Sequence, residues 1–206
     1  MPRKVLMIMF MTLDGVAEFP RYESGPASAA GPEADPMWSP RMEEIDTIFL
    51  GSAAYAKWAA FWPARKDDPS SDDWDREFSR FADRAEKVVF SKTLRSADWE
   101  NSRIVRGDPA DEVARLKRAK GKDMALGGGP RLAQSFLEED LVDEMLLEVF
   151  PSIVGRGKPF FRVHGDPDNP KDAVPIGAPR RHDFRLLESR PLRDGTVFLH
   201  YARAGN

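Results

Sequence analysis

A chain of 206 residues with 41% hydrophobic and 32% charged residues has the balance of a globular protein with a sizeable core, and fits neither intrinsic disorder nor a fibrous repeat. The formal net charge is −3 and no block of Lys or Arg stands out, so the electrostatic footprint of a nucleic-acid binder is missing. Cysteine is absent, which excludes a disulfide framework, a thiolate metal centre and a cysteine nucleophile.

Val5 to Met11 is apolar throughout, as expected of a strand covered on both faces, and Asp14-Gly15 supplies the turn that ends it. The run is too short for a signal peptide and lacks a small-residue cleavage site. No window approaches the roughly 20 apolar residues that cross a bilayer, so a membrane role is not expected and the chain reads as soluble and cytoplasmic. Glu18 to Pro40 is rich in Pro, Gly, Ala and Ser, a loop long enough to act as a lid.

Asp46 to Leu50 reads as a short strand, Gly51 breaks it, and Ser52 is placed to cap a helix carrying Tyr55 and Trp58. Asp72 or Asp73 caps a second helix, with Trp74, Phe78, Phe81, Ala82 and Ala85 at helical spacing. Lys87 to Ser91 and Ser102 to Val105 are strands, and Asp108-Pro109 opens a helix with Val113 and Leu116 inward. Asp123 to Leu126 is a strand, followed by Gly127-Gly128-Gly129-Pro130 and a helix whose Leu132, Ala133, Phe136 and Leu137 share a face. Met145 to Phe150 suits a central strand, and Pro151 to Lys158 is turn-rich. His164 to Pro179 is a second long loop; Phe184 to Ser189 and Thr196 to Tyr201 flank Arg193-Asp194-Gly195 as a hairpin. Strands alternating with helices and ending in a hairpin predict an α/β domain spanning 1–206, with a mostly parallel sheet, helices on both faces and an antiparallel edge.

The strand, triple glycine and helix around Gly127, Gly128, Gly129, Pro130 and Arg131 favour an anion. Without Cβ atoms the backbone approaches a phosphate closely, and the helix beyond offers unpaired N–H groups and the positive end of its dipole. The same glycines also suit a plain tight turn. His164, His182 and His200 are scattered, and Asp166, Asp168 and Asn169 lack the spacing of a calcium loop, so no metal is expected.

Met11-Thr12-Leu13-Asp14-Gly15-Val16, Phe49-Leu50-Gly51, Val88-Val89-Phe90-Ser91-Lys92-Thr93-Leu94, the triple glycine, and Leu141-Val142-Asp143-Glu144 with Pro151 to Phe161 follow one another along nearly the whole chain. In this order they resemble the dihydrofolate-reductase-like superfamily, and within it the reductase domain of the bifunctional riboflavin-biosynthesis deaminase/reductase. The deaminase half, with its His-x-Glu and Cys-x-x-Cys zinc pattern, is impossible without cysteine.

The resemblance implies a three-layer fold and an NADPH site across the strand ends. It assigns Gly51, Ser52 and Gly127 to Arg131 to the cofactor phosphates, and Ser91, Lys92 and Thr93 to the adenosine 2′-phosphate. Where the family carries Arg or Lys and then Arg-Thr after this glycine, the chain has Ser52-Ala53-Ala54, so side-chain donors are lost. Asp14 becomes the candidate catalytic residue, orienting a substrate amine or relaying a proton, although Asp-Gly is also an ordinary turn pair. Trp58 and Trp62, with Trp38 and Phe61 nearby, either stack on a planar substrate or serve as core. The implied activity is hydride transfer to a small pterin- or pyrimidine/ribosylamine-like molecule by a homodimer, with Met145 to Phe150 and the hairpin as edges to cover. The alternative is a non-catalytic nucleotide- or ligand-binding module that kept the fold.

Overall fold

Apolar runs with period two and polar–apolar segments with helical period sort this chain into strands and helices. The computed structural model describes residues 2–17, 36–161 and 181–205. In chain order the elements are β1 (Val5–Thr12), β2 (Ile45–Gly51), α1 (Ser52–Arg65), α2 (Asp73–Arg84), β3 (Glu86–Phe90), β4 (Ser102–Val105), α3 (Pro109–Arg118), β5 (Asp123–Leu126), α4 (Pro130–Glu138), β6 (Glu144–Phe150), β7 (Phe184–Pro191) and β8 (Val197–Arg203).

The strands form one eight-stranded sheet in the order β4-β3-β2-β5-β1-β6-β8-β7. Every neighbouring pair from β4 to β6 is parallel, while β8 runs antiparallel to both β6 and β7. Side chains alternate across the sheet, so each face has its own core. Leu6, Ile8, Ile48, Leu50 and Leu146 meet Tyr55 and Trp62 of α1 and Trp74, Phe78 and Phe81 of α2. Val5, Met7, Phe49, Val88 and Leu147 meet Val113 and Leu116 of α3 and Ala133, Phe136 and Leu137 of α4. This is the three-layer arrangement expected from the alternation of elements.

Two boundaries differ from expectation in ways that matter for the site. Ser52 does not cap α1: Gly51 holds the N-cap position in extended conformation, and no side chain bonds the helix start. Met145 to Phe150 is not an edge, because β6 lies between β1 and β8, and the edge on that side is β7. Of the expected lid, residues 18–35 lie outside the described residues, while Met37 and Trp38 are buried in the core under α1 and α2. The loop carrying His164, Asp166, Asp168 and Asn169 also lies outside the described residues.

Candidate functional site

Because β3, β2, β5, β1 and β6 are parallel neighbours, the segments that follow them emerge along one rim of the sheet. Ser91 to Leu94 follows β3, Gly51 leads into α1 from β2, Gly127 to Gly129 leads into α4 from β5, Leu13 to Gly15 follows β1, and Pro151 to Lys158 follows β6. In open parallel sheets ligands bind in this position, where loops and helix starts converge.

The starts of α1 and α4 differ from those of α2 and α3. Asp72 caps α2 and Asp108 caps α3, and each has acidic residues in its first turn. Gly51 and Gly129 begin α1 and α4 with no side-chain cap and no acidic first-turn residue. Their first N–H groups and dipole ends are therefore left for something negative. The Gly127 amide is spent on the Phe49 carbonyl at 3.2 Å, which corrects the expectation that all three glycines cradle an anion. Among the described residues the Gly128, Gly129 and Arg131 amides have no hydrogen-bond partner.

Gly128 is needed for close approach: a Cβ there would lie 2.8 Å from Leu132 Cδ2 and 3.4 Å from the Gly51 nitrogen, so the start of α1 and the triple-glycine turn touch across it. At Gly129 a Cβ would meet nothing within 4 Å, so this part of the turn faces open space. The residues present thus suit a phosphate at the turn between β5 and α4. Pro130 occupies the first helical turn without removing a needed bond, and Arg131 is exposed. Neither Arg131 nor Lys92 has an ion-pair partner among the described residues.

β1 outruns its neighbour. Its last pair with β5 is Met7 with Leu126, whereas its pairing with β6 continues to Thr12 with Phe150. The sheet therefore opens beyond Met7, above the glycine turn. Trp58 borders this opening: a Cβ on Gly127 would lie 3.2 Å from its Cη2, and its ring meets Trp38 edge-on at 6.0 Å. Trp62 does not border it. Only 7% exposed, it is enclosed by Phe61, Trp74 and Phe78, with Phe78 at 4.5 Å.

Asp14 joins two loops. Its carboxylate accepts the Thr12 hydroxyl at 2.5 Å and the Gly155 amide at 2.8 Å, and the Val154 amide lies 3.2 Å away. Those donors hold its carboxyl below the ordinary carboxylate range. Around it Leu13 N–H donates to Ser152, Ala17 N–H to Lys158 and Phe160 N–H to Gly15. Gly157, at φ +134°, admits Val16 Cγ1 to within 2.6 Å of where its Cβ would stand. After β3, the Ser91 hydroxyl accepts the Thr93 and Leu94 amides at 3.3 and 2.9 Å, so that oxygen shapes the turn.

A cavity of about 560 Å³ lies on the opposite rim, where β2, β3 and β4 begin, lined by Arg3, Arg84, Arg103, Arg115, Asp46 and Glu86 among others. Its arginines are already matched: Arg3 by Asp46, Arg84 by Glu43, Arg103 by Glu86 and Glu112, and Arg115 by Glu112. They also sit by the C-terminal ends of α2 and α3, whose dipoles call for cations. Size alone does not make it the site; unmatched donors are on the rim.

The family model of the RibD C-terminal domain matches residues 3–198. The chain belongs to the RibD C-terminal domain family. This RibD C-terminal domain is 27% identical over 199 residues to the uncharacterised protein YyaP of Bacillus subtilis, covering 97% of this chain and 94% of YyaP. A putative riboflavin biosynthesis protein from Shewanella sp. PV-4 superposes with a TM-score of 0.70 at 20% identity, covering 98% of this chain and 99% of that one. Dihydrofolate reductase from Enterococcus faecalis, in complex with NADP(H), gives a TM-score of 0.55 at 11% identity over 98% of this chain and 97% of its own. The fold of this RibD C-terminal domain is accordingly dihydrofolate-reductase-like.

Sequence reading overlooked two features of the rim. Leu13 and Ile153 are 61% and 74% exposed and sit on the two loops that Asp14 joins. Arg106, just beyond β4, reaches back to the loop after β3. Neither was legible locally, since an exposed leucine and a loop arginine carry no pattern.

Proposed function

We propose that this protein is an NADPH-dependent reductase that acts as one domain in the cytoplasm on a small pterin- or pyrimidine/ribosylamine-like heterocycle. The observation that carries this reading is the pair of uncapped helix starts, α1 and α4, brought into contact at Gly128 on the C-terminal rim of a parallel sheet. The NADP(H) held by the structurally similar dihydrofolate reductase supports it.

In this reading the Gly129 and Arg131 amides and the first turn of α1 from Ser52 hold the cofactor pyrophosphate, while Lys92 and Thr93 face the adenosine 2′-phosphate. The bound nicotinamide would supply the reactive hydrogen, and the chain's task is to position both partners and exclude water. Trp58 walls the opening beside β1, and Leu13 and Ile153 offer apolar cover. Asp14, held ionised, accepts hydrogen bonds and is a poor proton donor near neutral pH, so of its two candidate roles orienting a substrate N–H is the one favoured.

Titration with NADPH, followed by fluorescence or calorimetry, tests the reading: saturable binding at submillimolar cofactor is expected, and no response at millimolar cofactor defeats it. The loss of side-chain donors at Ala53 and Ala54 favours a second reading, a ligand-binding module without turnover. Binding of NADPH without its oxidation in the presence of pterin or aminopyrimidine substrates would select that reading. We propose a homodimer as well, since Leu186 and Leu187 on the edge strand β7 are 48% and 42% exposed. Light scattering of the wild type against Leu187→Lys measures it: a dimer that becomes a monomer is expected, and a monomeric wild type ends the idea.

A further inference from the structure

The segment after β3 has its carbonyls gathered on one side by a single side chain. Arg106 donates from one guanidinium nitrogen to the Lys92 carbonyl at 3.0 Å, with the Ser91 carbonyl at 3.5 Å, and from the other to the Leu94 carbonyl at 2.9 Å. A trans peptide unit points its N–H opposite to its C=O. Fixing the carbonyls of Ser91, Lys92 and Leu94 toward Arg106 therefore turns the amides of Lys92, Thr93 and Arg95 away from it. The Thr93 amide is taken up by Ser91 Oγ, while those of Lys92 and Arg95 have no partner among the described residues.

The charge balance of this loop is also unusual. No carboxylate pairs with Lys92, Arg95 or Arg106 among the described residues, whereas the arginines of the cavity on the opposite rim are each matched by an acid. The loop is anchored where Ser91 N–H donates to the Val105 carbonyl, one residue before Arg106, so its position is tied to β4. It leaves β3 at Phe90, which pairs with Gly51 at the start of α1. The unmatched cations and amides thus stand one strand away from the first uncapped helix.

We propose that Arg106 is a positioning residue for phosphate discrimination: by clamping the carbonyls of Ser91, Lys92 and Leu94 it aims the Lys92 and Arg95 amides, together with the Lys92 ammonium, at the 2′-phosphate of NADPH. This rests on the cofactor reading above and adds to it the residue that separates NADPH from NADH. A lysine in place of Arg106 keeps the charge but not the planar fork that bridges three carbonyls. The clamp and a simple charge effect therefore predict different results.

The test compares dissociation constants for NADPH and NADH, by direct titration, in the wild type, Arg106→Lys, Arg106→Ala, Lys92→Ala and the Lys92→Ala/Arg106→Lys double variant, with thermal melts of each. The clamp predicts that Arg106→Lys and Arg106→Ala each weaken NADPH binding by about tenfold and NADH binding by less than about twofold, with unchanged melting temperatures. It also predicts coupling: Lys92→Ala weakens NADPH binding in the wild type but adds little in the Arg106→Lys background. Wild-type affinity restored by lysine at 106, or an unchanged NADPH-to-NADH ratio in both Arg106 variants, overturns the clamp while leaving cofactor binding intact. A wild type that binds neither dinucleotide overturns the clamp together with the function it rests on.

Discussion

The Asp14 carboxylate accepts the backbone N–H of Gly155 at 2.8 Å across a separation of 141 residues. One turn pair after β1 thereby ties down the segment after β6 and joins the two loops at the open part of the rim. Replacing Asp14 with Asn removes the charge that draws in the Thr12, Val154 and Gly155 donors. Faster amide exchange at Val154 and Gly155 is expected, with the rest of the sheet protected as before; protection unchanged at those amides counts against the joint.

The same carboxyl sets a pH dependence. Its pKa in the folded protein is depressed by the Thr12 hydroxyl and the Gly155 and Val154 amides. A depressed carboxyl contributes stability that is present above its unfolded pKa and is lost as pH falls through the folded value. The joint should therefore persist through mildly acidic pH and open only below the usual carboxylate range. Amide shifts of Val154 and Gly155 followed down in pH should titrate together, below pH ~3.9.

Gly128 and Gly129 should respond differently to a side chain. At Gly128 a Cβ meets the Leu132 side chain at 2.8 Å and the Gly51 backbone at 3.4 Å; leucine can yield, but the start of α1 cannot. Gly128→Val is expected to lose about 1–3 kcal/mol of stability and all NADPH binding. Gly129→Ala meets no atom within 4 Å, so its stability should change by no more than about 0.5 kcal/mol while phosphate approach is hindered. Chemical denaturation and cofactor titration of both variants check this; equal stability losses refute the contrast.

Lys87 is fully buried and donates to the carbonyls of Ala82, Ala85 and Asp83 at the end of α2, with its ammonium 4.4 Å from the centre of the Trp99 ring. Burial pulls its pKa down to about 8 from an ordinary value of 10.5. Between those pH values the unfolded chain binds more protons than the folded one, so stability rises with pH by about 1.4 kcal/mol per unit. Lys87→Met leaves carbonyls without a donor and should cost about 2 kcal/mol at neutral pH. Urea unfolding at neutral pH and near pH 9 should show the wild type gaining on the variant as pH rises; parallel curves would argue against a titrating Lys87.

Trp58 and Trp62 separate wall from core. Trp62→Ala removes a ring enclosed by Phe61, Trp74 and Phe78 and should cost about 3–5 kcal/mol. Trp58→Ala should cost less and instead weaken ligand binding. A reversed order in denaturation melts would return Trp62 to the pocket.

The chain by itself determined the order and kind of the elements, because period, caps and turn residues are local. Asp72 or Asp73 and, further on, Asp108 mark helix starts, Val5 to Met11 reads as a buried strand, and Arg193-Asp194-Gly195 marks the hairpin, each without reference to distant residues. The order of strands along the sheet, with β5 between β2 and β1, was beyond local reading, as was the end of pairing at Met7 that opens the rim. Only the tertiary structure decided which donors are left over. Gly127 looks the same as Gly128 in sequence, yet its amide goes to Phe49 because β2 lies alongside; Arg106 gains its role because Ser91 to Leu94 folds against it. A backbone group is available to a ligand only when no neighbour claims it, and in this fold the neighbours come from far along the chain.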